Sequence, residues 1–254
     1  MSKAPNTPKE EPKASLSGRQ GTRLNKYIAN AGVCSRREAD NLIADGKIKV
    51  NGNLVTEMGH KVFPSDKVVY NGKQLQGEKL VYVLLNKPRD FITTTSDPQG
   101  RRTVMDLVKT AGDERIFPVG RLDRNTTGLL LLTNDGDLTK ILSHPSHNVK
   151  KIYKATLDKP LTKTDFEAIK AGFTLEDGPV VLDDIAYTSA SGFELGVELH
   201  LGRNRIVRRI FEHFEYEVKH LDRVVFAGLT KKDLPRGKWR FLSPKEIGIL
   251  KKRK

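Results

Sequence analysis

The spacing of apolar positions changes along this chain, and each change marks an element. Leu24, Tyr27, Ile28 and Ala31 recur at helical spacing, and Gly32 stops the run, so a first helix is predicted there. Ser35-Arg36-Arg37-Glu38 has the form of a capping box, with Ser35 as N-cap. A second helix then passes through Ala39, Leu42 and Ile43 to Gly46. The period falls to two over Lys47–Val50, and Asn51-Gly52 supplies a hairpin turn into Leu54-Val55. Lys67–Tyr70 reads as a last short strand, followed by Asn71-Gly72. Farther on, Val81–Leu85 and Gly128–Thr133 are unbroken apolar runs expected as buried strands. Ile152–Leu157 alternates, 163–171 is helical up to Gly172, and 180–187 with 193–200 resembles a hairpin around Ser189–Gly192. A helix at 204–215, a strand at 218–226 and a short helix opened by Ser243-Pro244-Lys245-Glu246 complete the pattern.

This order predicts an α+β protein of two domains. A small N-terminal domain spans 23–72, and a larger one spans 80–247 with a mixed, mainly antiparallel sheet and packed helices. A length of 254 residues allows both to bury a core. Residues 73–79 read as a linker. Residues 1–22 hold three prolines and almost no apolar side chains, which predicts a disordered basic tail. Residues 248–254 read as a second basic tail.

Charge narrows the partner. The net charge is +14, from 45 Lys and Arg against 31 Asp and Glu. A basic chain of this size suggests a polyanion, and nucleic acid leads because no long basic amphipathic helix with an aromatic stripe is present. No run of 18 apolar residues exists, and the first residues lack the apolar core of a secretory signal, so a cytoplasmic protein without a membrane span is expected. The single cysteine, Cys34, cannot form an internal disulfide, and neither it nor the six histidines show metal-ligand spacing. No metal site is expected.

Three segments carry candidate chemistry. Val119–Gly128 is a polar loop delivered onto a buried strand, with Asp123 between Leu122 and Arg124. Such a loop suits a catalytic group, although an Asp among arginines is more often an ordinary ion pair. On a helical wheel of Leu201–Ile210 and its continuation, Ile206, Val207, Ile210, Phe211 and Phe214 form one apolar face. Arg205 and Arg209 then point to solvent or phosphate, and Arg208 lies at the boundary, placed to turn inward toward a carboxylate. Arg36 and Arg37 occupy the first turn of the second helix, where the macrodipole disfavours cations, so an outside anion is one way to compensate them and simple solvation is the other.

The stretch RLNKYIANAGVCSRREADNLIADGKIKVNGN resembles the S4 RNA-binding domain. The stretches GRLDRNTTGLLLLTNDGDL, KKIYKA and GRNRIVRRIFEHFEYEVKHLDRVVFAG resemble the RsuA family of ribosomal RNA pseudouridine synthases, which includes the RluB, RluE and RluF types. The match is to the RluB type above all, and Ile206 stands where the family often has a polar residue. The resemblance implies an enzyme that isomerises a uridine in ribosomal RNA, in the large subunit by preference over the small. It implies Asp123 as the catalytic aspartate, Tyr153 as the tyrosine stacked on the base, and Leu221 as the apolar residue on the base's other side. Arg208 is implied to pair with the aspartate, and Arg121 to fill the space left by the flipped base. Arg36, Arg37, Lys151, Arg203, Arg205 and Arg209 are expected to position the RNA backbone. The reaction involves neither redox chemistry nor hydrolysis, so no cofactor is expected, and the protein is expected to be a monomer. The carboxylate must be ionised, whether it attacks C1′ or C6 or removes a sugar proton. A non-catalytic ribosome-assembly factor is the alternative, and the presence of Asp123, Tyr153 and Arg208 together speaks against it.

Overall fold

The computed structural model describes residues 21–252. The predicted N-terminal tail therefore lies outside the described residues except for its last two, as do Arg253 and Lys254. The chain forms two compact units that divide between Glu78 and Lys79.

The first unit begins with a two-residue strand β1 (Thr22–Arg23) and helices α1 (Leu24–Asn30) and α2 (Arg36–Ala44). The predicted capping box is formed: Ser35 Oγ accepts from Glu38 N at 3.2 Å, and the Glu38 carboxylate accepts from Ser35 N at 2.7 Å. Strands β2 (Ile48–Val50), β3 (Asn53–Val55), β4 (Lys61–Val62), β5 (Val68–Tyr70) and β6 (Lys73–Gln74) follow. The turns β2–β3 and β5–β6 are both Asn-Gly with positive φ at both residues, the geometry that matches hairpin twist. Leu24, Ile28, Ala39, Ile43, Ile48 and Val68 close the core between helices and sheet. The linker reading of 73–79 is corrected here. Lys73 and Gln74 pair with β5, Leu75 is buried, and Glu78 N donates to Asn30 O. One apolar side chain in a polar run was too little periodicity to announce a strand.

The second unit is built on a nine-stranded sheet. Its elements are β7 (Tyr82–Lys87), α3 (Val104–Leu107), β8 (Phe117–Pro118), β9 (Thr127–Thr133), α4 (Gly136–Ser143), β10 (Lys151–Leu157), α5 (Lys163–Ala171), β11 (Phe173–Leu175), β12 (Gly178–Val180), β13 (Asp184–Tyr187), β14 (Glu194–Leu199), α6 (Ile206–His213), β15 (Val218–Phe226), β16 (Leu229–Thr230), β17 (Trp239–Phe241) and α7 (Pro244–Lys251). The sheet order is β13-β14-β10-β15-β9-β7-β17, with β8 on β9, β16 on β15, and β11–β12 as a separate hairpin. Among the named strands of the described residues, only β15 and β9 pair in parallel. The mixed, mainly antiparallel sheet agrees with the expected fold class.

The unbroken apolar runs have a direct cause. Leu130 and Leu132 of β9 face one core, with α6, while Leu129 and Leu131 face another, with α4 and α7. A strand covered on both faces has no solvent side and so no alternation. Strand β10 alternates because Tyr153, Ala155 and Leu157 are buried while Lys154 faces solvent. Helix α7 keeps its predicted capping box but runs to Lys251, with Leu250 fully buried. The basic tail expected from 248 is thus a packed helix up to Lys251, because Leu250 has a core to enter.

Gly128 pins the parallel β9–β15 pair. Its φ is +105°, and a Cβ there would meet Arg223 O at 2.3 Å and Arg223 N at 2.6 Å. Neither backbone atom can retreat without breaking the sheet. Gly128→Ala is expected to destabilise the unit by about 3 kcal/mol or more, read as a lower urea midpoint.

Candidate active site

The loop between β8 and β9 is held from below by one buried ammonium group. Lys87, at the end of β7, is 0% exposed. Its Nζ donates to four carbonyl oxygens: Pro88 at 3.1 Å, Asp123 at 3.0 Å, Arg124 at 3.1 Å and Thr126 at 2.8 Å. Three of the four lie on the loop, so Lys87 dictates its path. Burial pushes the ammonium down to about 8, and the Asp123 charge opposes that shift. Thr93 grips the loop from its side, donating to Leu122 O at 2.7 Å and accepting from Leu122 N at 3.3 Å. Asp90 N donates to Arg124 O at 3.0 Å. Leu122 and Thr126 are buried on either side of Asp123, whose carboxyl remains 36% exposed. The loop thus anchors at its flanks and presents the carboxylate.

A second network fixes the far end of the loop. Asp222 on β15 accepts from Thr127 Oγ1 at 3.0 Å, from Arg236 at 2.9 and 3.2 Å, and from Lys231. Burial acts to raise the Asp222 carboxyl, but Arg236 and Lys231 outweigh it and hold it below the usual range. Neither Lys87 nor Asp222 was assigned a role from the sequence. A lysine inside a buried strand, directly before Pro88, is the signal that could have found the first.

Asp123 opens onto a cavity of about 160 Å³ that also takes in Tyr153, Leu221, Arg121, Lys151 and Arg205. That volume suits one six-membered ring. Tyr153 and Leu221 lie on adjacent strands and the same face, with Leu221 opposite Ala155 and Tyr153 opposite Arg223. This diagonal relation separates the side chains by roughly 7–8 Å, the distance that leaves room for a flat ring between them. A break in register between Ile152 and Tyr153 is a local irregularity of the kind that re-aims a side chain beside a site. A larger cleft of about 410 Å³ adjoins the cavity and shares Asp123, Arg121 and Arg205, with Ile92, Arg124 and Asn204 added.

The structure brings Asp123, Tyr153, Leu221, Arg121, Lys151, Arg203 and Arg205 to this cavity. It treats the arginines of 203–209 differently from the helical-wheel expectation. Arg208 makes no ion pair with Asp123; its Nη1 donates to Val218 O at 2.6 Å, and its Nε is buried without an acceptor. Burial and the Arg205 charge push its pKa down, while Asp123 pulls it up. The cation beside Asp123 is Arg205, at 3.9 Å from Oδ2. A wheel gives a residue's azimuth on a helix, but α6 starts at Ile206, and Arg205 precedes it in the left-handed region. Arg203 donates to Gly178 O and Pro179 O at 3.0 and 2.9 Å. Arg209 holds Asp177 through bonds of 2.8 and 2.7 Å, which takes the Asp177 carboxyl down to about 2. Arg209 therefore ties the β11–β12 hairpin to α6 and Arg203 ties it to the segment ahead of that helix, so the guanidinium groups of both already have protein partners.

Lys151 is also engaged, donating to His200 O at 2.7 Å and Leu201 O at 3.3 Å. Burial first, then the Arg223 charge, push it down to about 8. In the first unit Arg36 leans on Asn25 Oδ1 at 3.3 Å, and Arg37 is exposed. Among the described residues no group of three metal-ligating side chains occurs, and no helix is long and apolar enough to cross a membrane.

The lowered lysines give a pH dependence with a definite sign. Below about pH 8, Lys87 and Lys151 are charged in both folded and unfolded chains, and their burial cost is fully present. Between about 8 and the ordinary value of 10.5 the unfolded chain binds more protons, so their contribution to stability improves as pH rises. The stability difference between wild type and Lys151→Met, from paired urea titrations, is expected to shift in favour of the wild type across that window.

Comparison with known proteins bears on what this geometry does. Residues 81–213 match the RNA pseudouridylate synthase family, and residues 22–68 match the S4 domain. The chain is 42% identical over 237 residues to ribosomal large subunit pseudouridine synthase B of Bacillus subtilis, covering 90% of this chain and 95% of that protein. It is 38% identical over 228 residues to the dual-specificity RNA pseudouridine synthase RluF of Escherichia coli, covering 89% of this chain and 77% of that protein. A crystal structure of a pseudouridylate synthase superposes with a TM-score of 0.64 at 27% identity, covering 90% of this chain and 99% of that one.

Proposed function

The chain belongs to the RsuA, RluB and RluF family of RNA pseudouridine synthases, and from that premise we propose that it isomerises one uridine of large-subunit ribosomal RNA with Asp123 as its catalytic carboxylate. The observation that supports this role is the ionisable side chain of Asp123 on the wall of a ring-sized cavity shared with Tyr153 and Leu221. In this reading the uridine leaves its stack at a cost of a few kcal/mol and enters between the tyrosine ring and the leucine. The C1′–N1 bond breaks, the uracil turns, and a C1′–C5 bond forms. The C5 proton leaves to solvent and N1 takes one up, so the reaction is balanced without a further reactant. The Asp123 carboxylate acts in its ionised form, and in the free protein the Arg205 guanidinium stands 3.9 Å from its Oδ2.

Arg121 lines both the cavity and the adjoining cleft, which suits a side chain that takes the place of the extruded base. Arg36 and Arg37 on the S4 domain extend the RNA contacts, and these would make binding salt-dependent. The protein acts as a cytoplasmic monomer in this account. Pseudouridine mapping of ribosomal RNA from cells with and without the gene tests it. Loss of one large-subunit pseudouridine is expected. Loss from the small subunit would move the target, and an unchanged map would favour a non-catalytic assembly role.

A further inference from the structure

Arg205 is held by two carboxylates and committed to neither. Its backbone has φ +47° and ψ 29°, a left-handed conformation that residues other than glycine seldom adopt. Its guanidinium donates to Glu212 Oε1 at 3.2 Å and stands 3.9 Å from Asp123 Oδ2. The second distance is beyond a hydrogen bond. Both the arginine and Glu212 are about half exposed, at 46% and 50%, and exposed pairs of this kind are weak. Arg203, Arg208 and Arg209 are fixed by backbone carbonyls or by Asp177. Arg205 is therefore the arginine of this segment that can move at little cost. It also lines both the ring-sized cavity and the larger cleft. Behind it, Arg208 keeps a buried Nε without an acceptor and interacts with the Asp123 charge.

We propose that Arg205 is a positioning residue that exchanges partners when RNA binds. In the free protein it stands beside Asp123 and offsets the charge that an incoming polyanion would meet. On binding it leaves Asp123 for a phosphodiester oxygen flanking the extruded uridine, and Glu212 holds the guanidinium at the cleft mouth while it does so. Asp123 is then free to turn toward the substrate and toward Arg208. The proposal rests on Asp123 as catalytic carboxylate and RNA as substrate.

The test is steady-state kinetics on a ribosomal RNA fragment across a salt series, with wild type, Arg205→Gln, Arg205→Lys, Glu212→Gln and Asp123→Asn. Arg205→Gln is expected to raise KM about tenfold and to lower the slope of log KM against log salt by about 1. Arg205→Lys, which keeps the charge, recovers part of the KM. Glu212→Gln distinguishes this device from simple electrostatics by sign. Removal of a negative charge near an RNA site should lower KM, whereas loss of the arginine's support raises it, by about threefold. A lower KM in Glu212→Gln, or an unchanged salt slope in Arg205→Gln, overturns the exchange of partners while leaving the isomerase reading intact. Turnover retained in Asp123→Asn removes that reading itself, and the exchange with it.

Discussion

Asp123→Asn is expected to bind RNA at least as tightly as the wild type and to form no measurable pseudouridine, its single-turnover rate falling by a factor on the order of 10⁴ or more, a scale seen when a nucleophile is removed from an enzyme site. The substitution keeps the shape of the side chain and most of its hydrogen-bonding capacity. It removes the negative charge and the ability to attack carbon or take a proton. The loop should keep its path, because its supports reach backbone oxygens and not the carboxyl: Lys87 bonds the carbonyls of Asp123, Arg124 and Thr126, and Thr93 bonds both backbone groups of Leu122. Binding and chemistry should therefore separate cleanly. A filter-binding titration beside a single-turnover assay measures both, and loss of affinity in step with rate would mean that the site had collapsed.

Lys87→Met is expected to lower stability by roughly 3–5 kcal/mol, the cost of stripping a buried charged donor from its partners. Methionine fills nearly the same volume, so the cavity term is small. What is lost is the ammonium shared by four carbonyl oxygens, three of them on the loop that bears Asp123. The same change should slow catalysis in protein that is still folded, because Asp123 Cα is carried by the segment that Lys87 shapes. Urea denaturation gives the first effect. Single-turnover rates well below the melting transition give the second. An unchanged midpoint would show that water or a rearranged loop satisfies those carbonyls.

These two residues differ in how readable they were. Asp123 stood out only through the family resemblance; by residue type alone it was one acid among arginines. Lys87 left a weaker trace, a cation where a buried strand should be apolar. The long elements were legible because their burial imposes a period or removes one, as the paired faces of β9 show. Strands of two or three residues, such as β4, β6 and β17, carry no period of their own and exist through their partners. Helix α6 began two residues later than expected because the chain turns at Arg205, and that single turn moved the arginine from the solvent face to the carboxylate. Spacing also gave no depth: it set Arg208 at a boundary but not which carbonyl it would reach, and it did not foresee Asp177 drawing in Arg203 and Arg209.

Tritium release from C5-labelled uridine tests the core of this account most directly. Ribosomal RNA labelled in cells lacking the gene, incubated with purified protein and no other reactant, should release one equivalent of tritium with the wild type and none with Asp123→Asn. Binding without release by the wild type, or release that survives in the variant, would contradict it.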